Sequence, residues 1–108
     1  MTGLFSTPTT ERVLLYLQAY GQGHARAIAS TLDAPLRSVQ LQLNRLETEG
    51  VLVSRFSGRT KLYFWNPRYP LLPELSALLD KALSLMPKDE RQRYVSERRR
   101  PRRSGKPL

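Results

Sequence analysis

Apolar residues recur along this chain at two different periods, and the change of period divides it into elements. Val13, Leu14, Leu17 and Tyr20 repeat at helical spacing. Thr7-Pro8-Thr9-Thr10-Glu11 supplies the start of that helix: a threonine to cap free N–H groups, a proline suited to the first turn, and an acid at the positive end of the dipole. Gly21 is expected to end the helix and Gly23 to let the chain turn. A second helix, over about residues 24–32, carries Ala25, Ile28, Ala29 and Leu32 as an i, i+3, i+4, i+7 stripe. A third, over about residues 35–49, turns Leu36, Val39, Leu43 and Leu46 inward. At about 100° per residue its opposite face carries Arg37, Leu41, Asn44, Arg45 and Thr48, flanked by Ser38.

The pattern then becomes β-rich. Val51–Phe56 and Lys61–Trp65 read as two strands joined by Ser57-Gly58-Arg59-Thr60, and Asn66-Pro67 ends the second. Pro70 and Pro73 open a fourth helix that ends at Met86, because Pro87 cannot continue it. Its heptad-like row is Leu71, Leu75, Leu78, Ala82 and Leu85. Leu72, Leu79 and Met86 form a second row, and Leu83 widens the surface further. A small domain rarely needs so wide a stripe on its last helix, so part of it is expected to meet a second copy of the chain. The expected dimerisation residues are Leu72, Leu75, Leu78, Leu79, Ala82 and Leu83. KDERQRYVSERRR has the acid-first, base-last order of a fifth helix, with only Tyr94 and Val95 to bury. Pro101–Leu108 is expected to be disordered.

Residues 25–65 combine these elements into a recognisable order. Ala29 is small where two helices must cross. Asp33, four residues later, suits a turn that needs positive φ, and Val39 faces back into the core six residues further on. That is the spacing of a helix-turn-helix, with a basic-tipped hairpin directly after it. The stretch LRSVQLQLNRLETEGVLVSRFSGRTKLYFWNP resembles the winged helix-turn-helix regulators, most closely the ArsR-type and MarR-like bacterial repressors. Leu43, Leu46, Gly50, Val51, Leu52, Gly58, Arg59 and Tyr63 carry the resemblance, which covers about residues 7–86. It implies a mainly α fold with a small β-hairpin wing (α+β), a recognition helix and a homodimer. Related regulators often place a serine at the recognition-helix cap, where this chain has Pro35, which leaves Asp33 or Ala34 to cap it. The domain is expected to span residues 1–86, with 87–108 as a basic extension.

Composition narrows the function. The 108 residues suffice for one small domain, with 40% hydrophobic residues for a modest core. The net charge of +9 suits a nucleic-acid binder. It is uneven: residues 87–108 hold nine Lys/Arg against three Asp/Glu, and residues 1–86 hold nine against six. The folded part must therefore make its own case. Arg bridges guanine O6 and N7, and Asn pairs with adenine N6 and N7. Arg37, Ser38, Gln40, Leu41, Asn44 and Arg45 are accordingly the expected base-reading set. Arg55, Arg59 and Lys61 surround the glycine tip as candidate phosphate or minor-groove contacts, with Arg59 the best single choice. The arginines of the tail would add sequence-independent contacts. Phe56, Tyr63, Phe64 and Trp65 invite comparison with a stacking platform for single strands, but on a short hairpin over a helical core they are expected to pack instead.

Other chemistries lack their residues. The chain has no cysteine and a single histidine, His24, so no metal cluster is expected, and the cysteine motif of ArsR-type metal sensors is absent from HARAIASTLD. Gly21-Gln22-Gly23 follows a helix and lacks the third glycine of a dinucleotide loop. No nucleophile is paired with a base, so neither an enzyme nor a cofactor is expected. No signal-peptide layout or bilayer-length apolar run occurs, which points to a cytoplasmic protein without membrane contact. The expected partner is double-stranded DNA. The rival reading is an adaptor module. The segment Asn66-Pro67 with Pro70-Leu71-Leu72-Pro73-Glu74-Leu75 resembles that of winged helices joined to nucleotidyltransferases, and a separate enzyme or toxin would then be the protein partner. RNA binding through the tail and aromatics is a third reading.

Overall fold

The computed structural model describes residues 8–92. Seven elements follow one another: α1 (Pro8–Tyr20), β1 (Gln22–Gly23), α2 (Ala25–Leu32), α3 (Leu36–Thr48), β2 (Leu52–Ser57), β3 (Thr60–Trp65) and α4 (Leu72–Leu85). Residues 88–92 are helical again, where the fifth helix was expected to begin. The Thr7 cap, the rest of that helix and the expected disorder of 101–108 lie outside the described residues.

Helix α1 is the centre of the core. Val13, Leu14, Leu15, Tyr16, Leu17 and Ala19 are all buried, more of its circumference than a single stripe would cover. Ile28, Ala29 and Leu32 of α2, Val39, Leu43 and Leu46 of α3, and Leu79 of α4 close around it. Each fully buried Leu or Ile contributes about 1.5–3 kcal/mol of transfer free energy. The Arg12 guanidinium donates to the Leu32 carbonyl at the end of α2. Gln18 Nε2 donates to Ser76 Oγ and Asp80 Oδ1, both at 2.9 Å, and so ties α1 to α4.

The turn between α2 and α3 forms as its sequence predicts. Asp33 is left-handed (φ 53°, ψ 48°), and its N–H and that of Ala34 bond back to carbonyls of α2. The α3 cap differs from expectation. Pro35 itself is the N-cap, extended at φ −61° and ψ 135°, with no side-chain cap bond. Proline supplies the required backbone angle without a hydroxyl, so neither Asp33 nor Ala34 takes the capping position.

The hairpin is longer at its tip than its sequence suggests. Ser57 pairs with Thr60, which leaves a two-residue loop of Gly58 and Arg59. Only Gly58 of the two has positive φ (65°), the requirement of a II′ turn. The sheet also has a third strand, in the order β1-β3-β2, all antiparallel. Gln22 pairs with Phe64 and Gly23 with Tyr63. Gly23 is therefore a packing glycine rather than a turn: a Cβ there would lie 2.7 Å from Tyr16 Cε1 and 3.2 Å from Ile28 Cγ1. The short β1 draws the start of α2 against the hairpin. Asn66 latches the far end, with Nδ2 donating to the Gly50 carbonyl at 2.9 Å and Oδ1 accepting from Arg68 N at 3.0 Å. A helix-turn-helix with an attached β-wing is thus the architecture of the chain.

Candidate nucleic-acid interface

Helix α3 buries one side and leaves the other bare. Val39, Leu43 and Leu46 enter the core, as does Gln42, whose Oε1 accepts from the buried Thr10 hydroxyl at 2.6 Å. Arg37, Gln40, Leu41, Asn44, Arg45 and Thr48 are exposed, and Leu41 is 63% so. The three-residue and four-residue spacings of a helix put Gln40, Asn44 and Glu47 along the flank beside the wing. Ser38 and Arg45 lie about 100–120° further round from Asn44. Arg45 there pairs with Glu49 at 3.6 Å, one turn on.

Between that flank, the wing and the start of α2 runs a groove of about 590 Å³. Gln40 and Asn44 line it from α3, Arg59, Thr60, Lys61 and Tyr63 from the wing, and His24, Ala25 and Arg26 from α2. His24 is the N-cap of α2, its Nδ1 accepting from Ala27 N at 3.4 Å, so the positive end of that helix faces the same hollow. The groove is concave and polar, with Arg26, Arg59 and Lys61 on its walls. A duplex backbone fits such a surface, where cations and N–H donors converge on phosphate oxygens.

The wing has two faces. On the inner face Ser54 Oγ donates to Glu47 Oε2 at 2.5 Å, Lys61 Nζ lies 3.4 Å from Glu47 Oε1, and Tyr63 donates its hydroxyl proton to Asn44 Oδ1 at 3.0 Å. The neighbouring Tyr63 side chain holds the Lys61 ammonium above its ordinary pKa; burial opposes this, and the carboxylate of Glu47 adds a smaller increase. On the outer face Arg55 sits over the Phe64 ring at 5.5 Å. Arg55 thus stands apart from the groove that Arg59 and Lys61 share. Tyr63 is buried, and Trp65 packs half-buried against the core, in keeping with a packing role. Phe56 departs from that expectation. It is 69% exposed near the wing tip, because it falls past the last residue of the core that the hairpin covers.

The structure brings Gln40, Asn44, Arg59 and Lys61 together, and sets Arg37 and Leu41 on the crest beside them. It adds His24, Arg26 and Thr60, which sequence reasoning missed. Thr60 belongs to the wing itself; the local pattern of His24 and Arg26 gives no signal, and only the β1–β3 pairing puts them beside it. The expected dimerisation set divides in the same way. Leu79 is fully buried in the chain's own core and has no area left for a partner, a correction to that set. Leu75, Ala82 and Leu83 pack half-buried against the core, and Leu72 is half-buried. Leu78 is 38% exposed, in a row with Leu71 and Leu85 at 58% and 72%. Among the described residues no three His, Asp or Glu side chains are grouped to hold a metal ion, and no helix is long and apolar enough to cross a membrane.

No family model matches the sequence, and no curated protein matches it. Several solved structures share the fold. The AntR antimony-specific transcriptional repressor superposes with a TM-score of 0.61 over 81% of this chain and 74% of its own, at 23% identity. MepR, a transcription regulator of the Staphylococcus aureus multidrug efflux pump MepA, gives 0.57 over 93% and 80%, at 18% identity. A MepR variant solved with an oligodeoxyribonucleotide gives 0.56 over the same shares, also at 18% identity. ZitR of Lactococcus lactis gives 0.57 over 98% and 80%, at 17% identity. At these identities the likeness establishes the winged-helix fold.

Proposed function

We propose that this chain is a sequence-specific DNA-binding transcriptional regulator that acts as a homodimer. The observation that carries the reading is the basic groove between α3 and the wing, bordered by a helix face whose Arg, Asn and Gln side chains are free of the core. Two of the structural neighbours are described as transcription regulators and one was solved with an oligodeoxyribonucleotide, which supports the same assignment. Helix α3 enters the major groove. Arg37, Gln40, Leu41 and Asn44 meet base edges, while Arg26, Arg59 and Lys61 hold phosphates on the wing side. Ser38 and Arg45 reach the opposite strand. Arg55, on the outer wing face, contributes at longer range. The cations of residues 87–108 add non-specific affinity.

The exposed row Leu71, Leu78 and Leu85 supports the dimer. These leucines recur every seven residues along one edge of α4, as a seam between two helices does. A two-fold dimer would place two recognition helices in successive major grooves, about 10 base pairs apart.

Selection from a random duplex library at physiological salt tests the reading. An enriched motif with two-fold symmetry is expected, and it should vanish when Arg37, Asn44 and Arg45 are replaced by Ala. Equal affinity for all duplexes, with a steep salt slope, would exclude base reading and favour the adaptor.

A further inference from the structure

A chain of polar groups joins α3 to the wing, and it has a direction. Glu47 Oε1 lies 3.4 Å from Lys61 Nζ. Lys61 Nζ lies over the Tyr63 ring, 5.2 Å from its centre. Tyr63 in turn donates to Asn44 Oδ1 at 3.0 Å. An ammonium has three donors and no acceptor. The positive charge beside Tyr63 attracts the lone pairs of its oxygen and turns the hydroxyl proton away, toward an acceptor. Asn44 satisfies it only by presenting Oδ1. Without Lys61, a phenol would accept as readily as donate, and the amide would turn either way. The Tyr63 ring is 5% exposed, so packing fixes where its hydroxyl sits.

We infer that Tyr63 is a specificity-positioning residue: it holds the Asn44 carbonyl toward the wing, so that Asn44 offers a base edge its amide N–H groups alone. The inference rests on the DNA-binding reading above and changes what Asn44 is expected to recognise. A free Asn pairs with adenine at two points, accepting from N6 and donating to N7. That contact needs Oδ1 and Nδ2 on one base edge together. With Oδ1 turned to Tyr63, only the donor half remains. Guanine presents two neighbouring acceptors, O6 and N7; adenine presents N7 beside an opposing donor; cytosine presents a donor. The base read by Asn44 is thus guanine, and cytosine is excluded.

Tyr63→Phe keeps the ring and removes the one atom at issue. Random-duplex selections with the full chain should compare wild type, Asn44→Ala, Tyr63→Phe and Lys61→Met, alongside melting curves and salt slopes. Loss of preference at one base pair per half-site in Asn44→Ala locates the contact. Wild type is expected to select guanine there. Tyr63→Phe should move the preference toward adenine by about tenfold, as expected for one bidentate contact, with an unchanged salt slope. Lys61→Met, which frees the phenol to accept, should shift it the same way while lowering the salt slope. Selection of adenine by wild type, or an unchanged preference in both variants, overturns the inference while leaving the regulator reading intact. If Tyr63→Phe melts early, Lys61→Met decides. No enriched motif with wild type would defeat the regulator reading itself, and this inference with it.

Discussion

Thr10 and Gln42 meet inside the protein, the threonine hydroxyl donating to the glutamine Oε1 at 2.6 Å across 32 residues of chain. Both side chains are buried, Thr10 in the first turns of α1 and Gln42 on the inner side of the recognition helix. The bond fixes the rotation of α3 about its own axis, and so fixes which residues it turns outward. Thr10→Val preserves shape and removes the donor, leaving the buried Gln42 carbonyl short of it. A loss of about 1–3 kcal/mol is expected. Thermal melting should record it as a fall of several degrees, about 4–8 °C per kcal/mol for a domain of this size.

Gly23 offers a sharper test of the third strand. Its Cβ position lies 2.7 Å from Tyr16 Cε1 and within 3.3 Å of two Ile28 carbons. Tyr16 is itself stacked on Tyr20, with ring centres 4.1 Å apart, and has little freedom to yield. Gly23→Ala should therefore destabilise by about 1–3 kcal/mol through overpacking. Substitution of the neighbouring Gln22, exposed on the same strand, should leave the melting temperature near wild type. Equal stability of both variants would show that the close approach of β1 to α1 does not form.

The cations on and beside the wing should not be equivalent. Arg26 and Arg59 face the groove, whereas Arg55 lies over Phe64 on the other side of the sheet. Replacing Arg26 or Arg59 by Ala should lower the salt slope of DNA binding by about one each, uniformly across sequences. Arg55→Ala should change it less. Binding isotherms between 50 and 200 mM salt, the range of the general estimate, measure the difference.

The leucine row on α4 predicts the oligomeric state. Leu78 and Leu85 are exposed on the single chain, so Leu78→Glu with Leu85→Glu should leave its fold intact. Sedimentation should show wild type as a dimer and the double variant as a monomer. Operator affinity should fall steeply once the two half-sites are no longer linked. A wild-type monomer would assign the row to another partner.

Phe56 is a further exposed apolar group beside the wing cations. Phe56→Ala should leave melting unchanged, because the ring has little packing to lose, yet weaken DNA binding if the ring meets the duplex. Parallel melting and binding curves separate the two effects.

Much of this architecture was legible in the residues themselves, wherever the cause is local. The 3.6-residue stripes of α2 and α3, the left-handed turn at Asp33, the glycine at the wing tip and the proline boundaries of α4 are set by neighbours a few positions apart. The exposed face of α3 follows from the same periodicity. Other features come from residues distant in the chain and carry no local period. The two residues Gln22 and Gly23 are too short a strand to show alternation, and only their pairing with β3 brings His24 and Arg26 to the groove. Periodicity marked Leu78 and Leu79 alike as apolar, but the side on which α4 rests against α1 buried one and bared the other. Asn44 was legible as a candidate base-reading residue of the exposed helix face, but not which end of its amide would be free. Packing of the Tyr63 ring under the wing, with Lys61 beside it, decided which end of its amide turns to the groove. Sequence spacing specifies elements and their faces because those depend on backbone geometry. Their mutual placement depends on how side chains far apart in the chain pack together, and the site is built at those junctions.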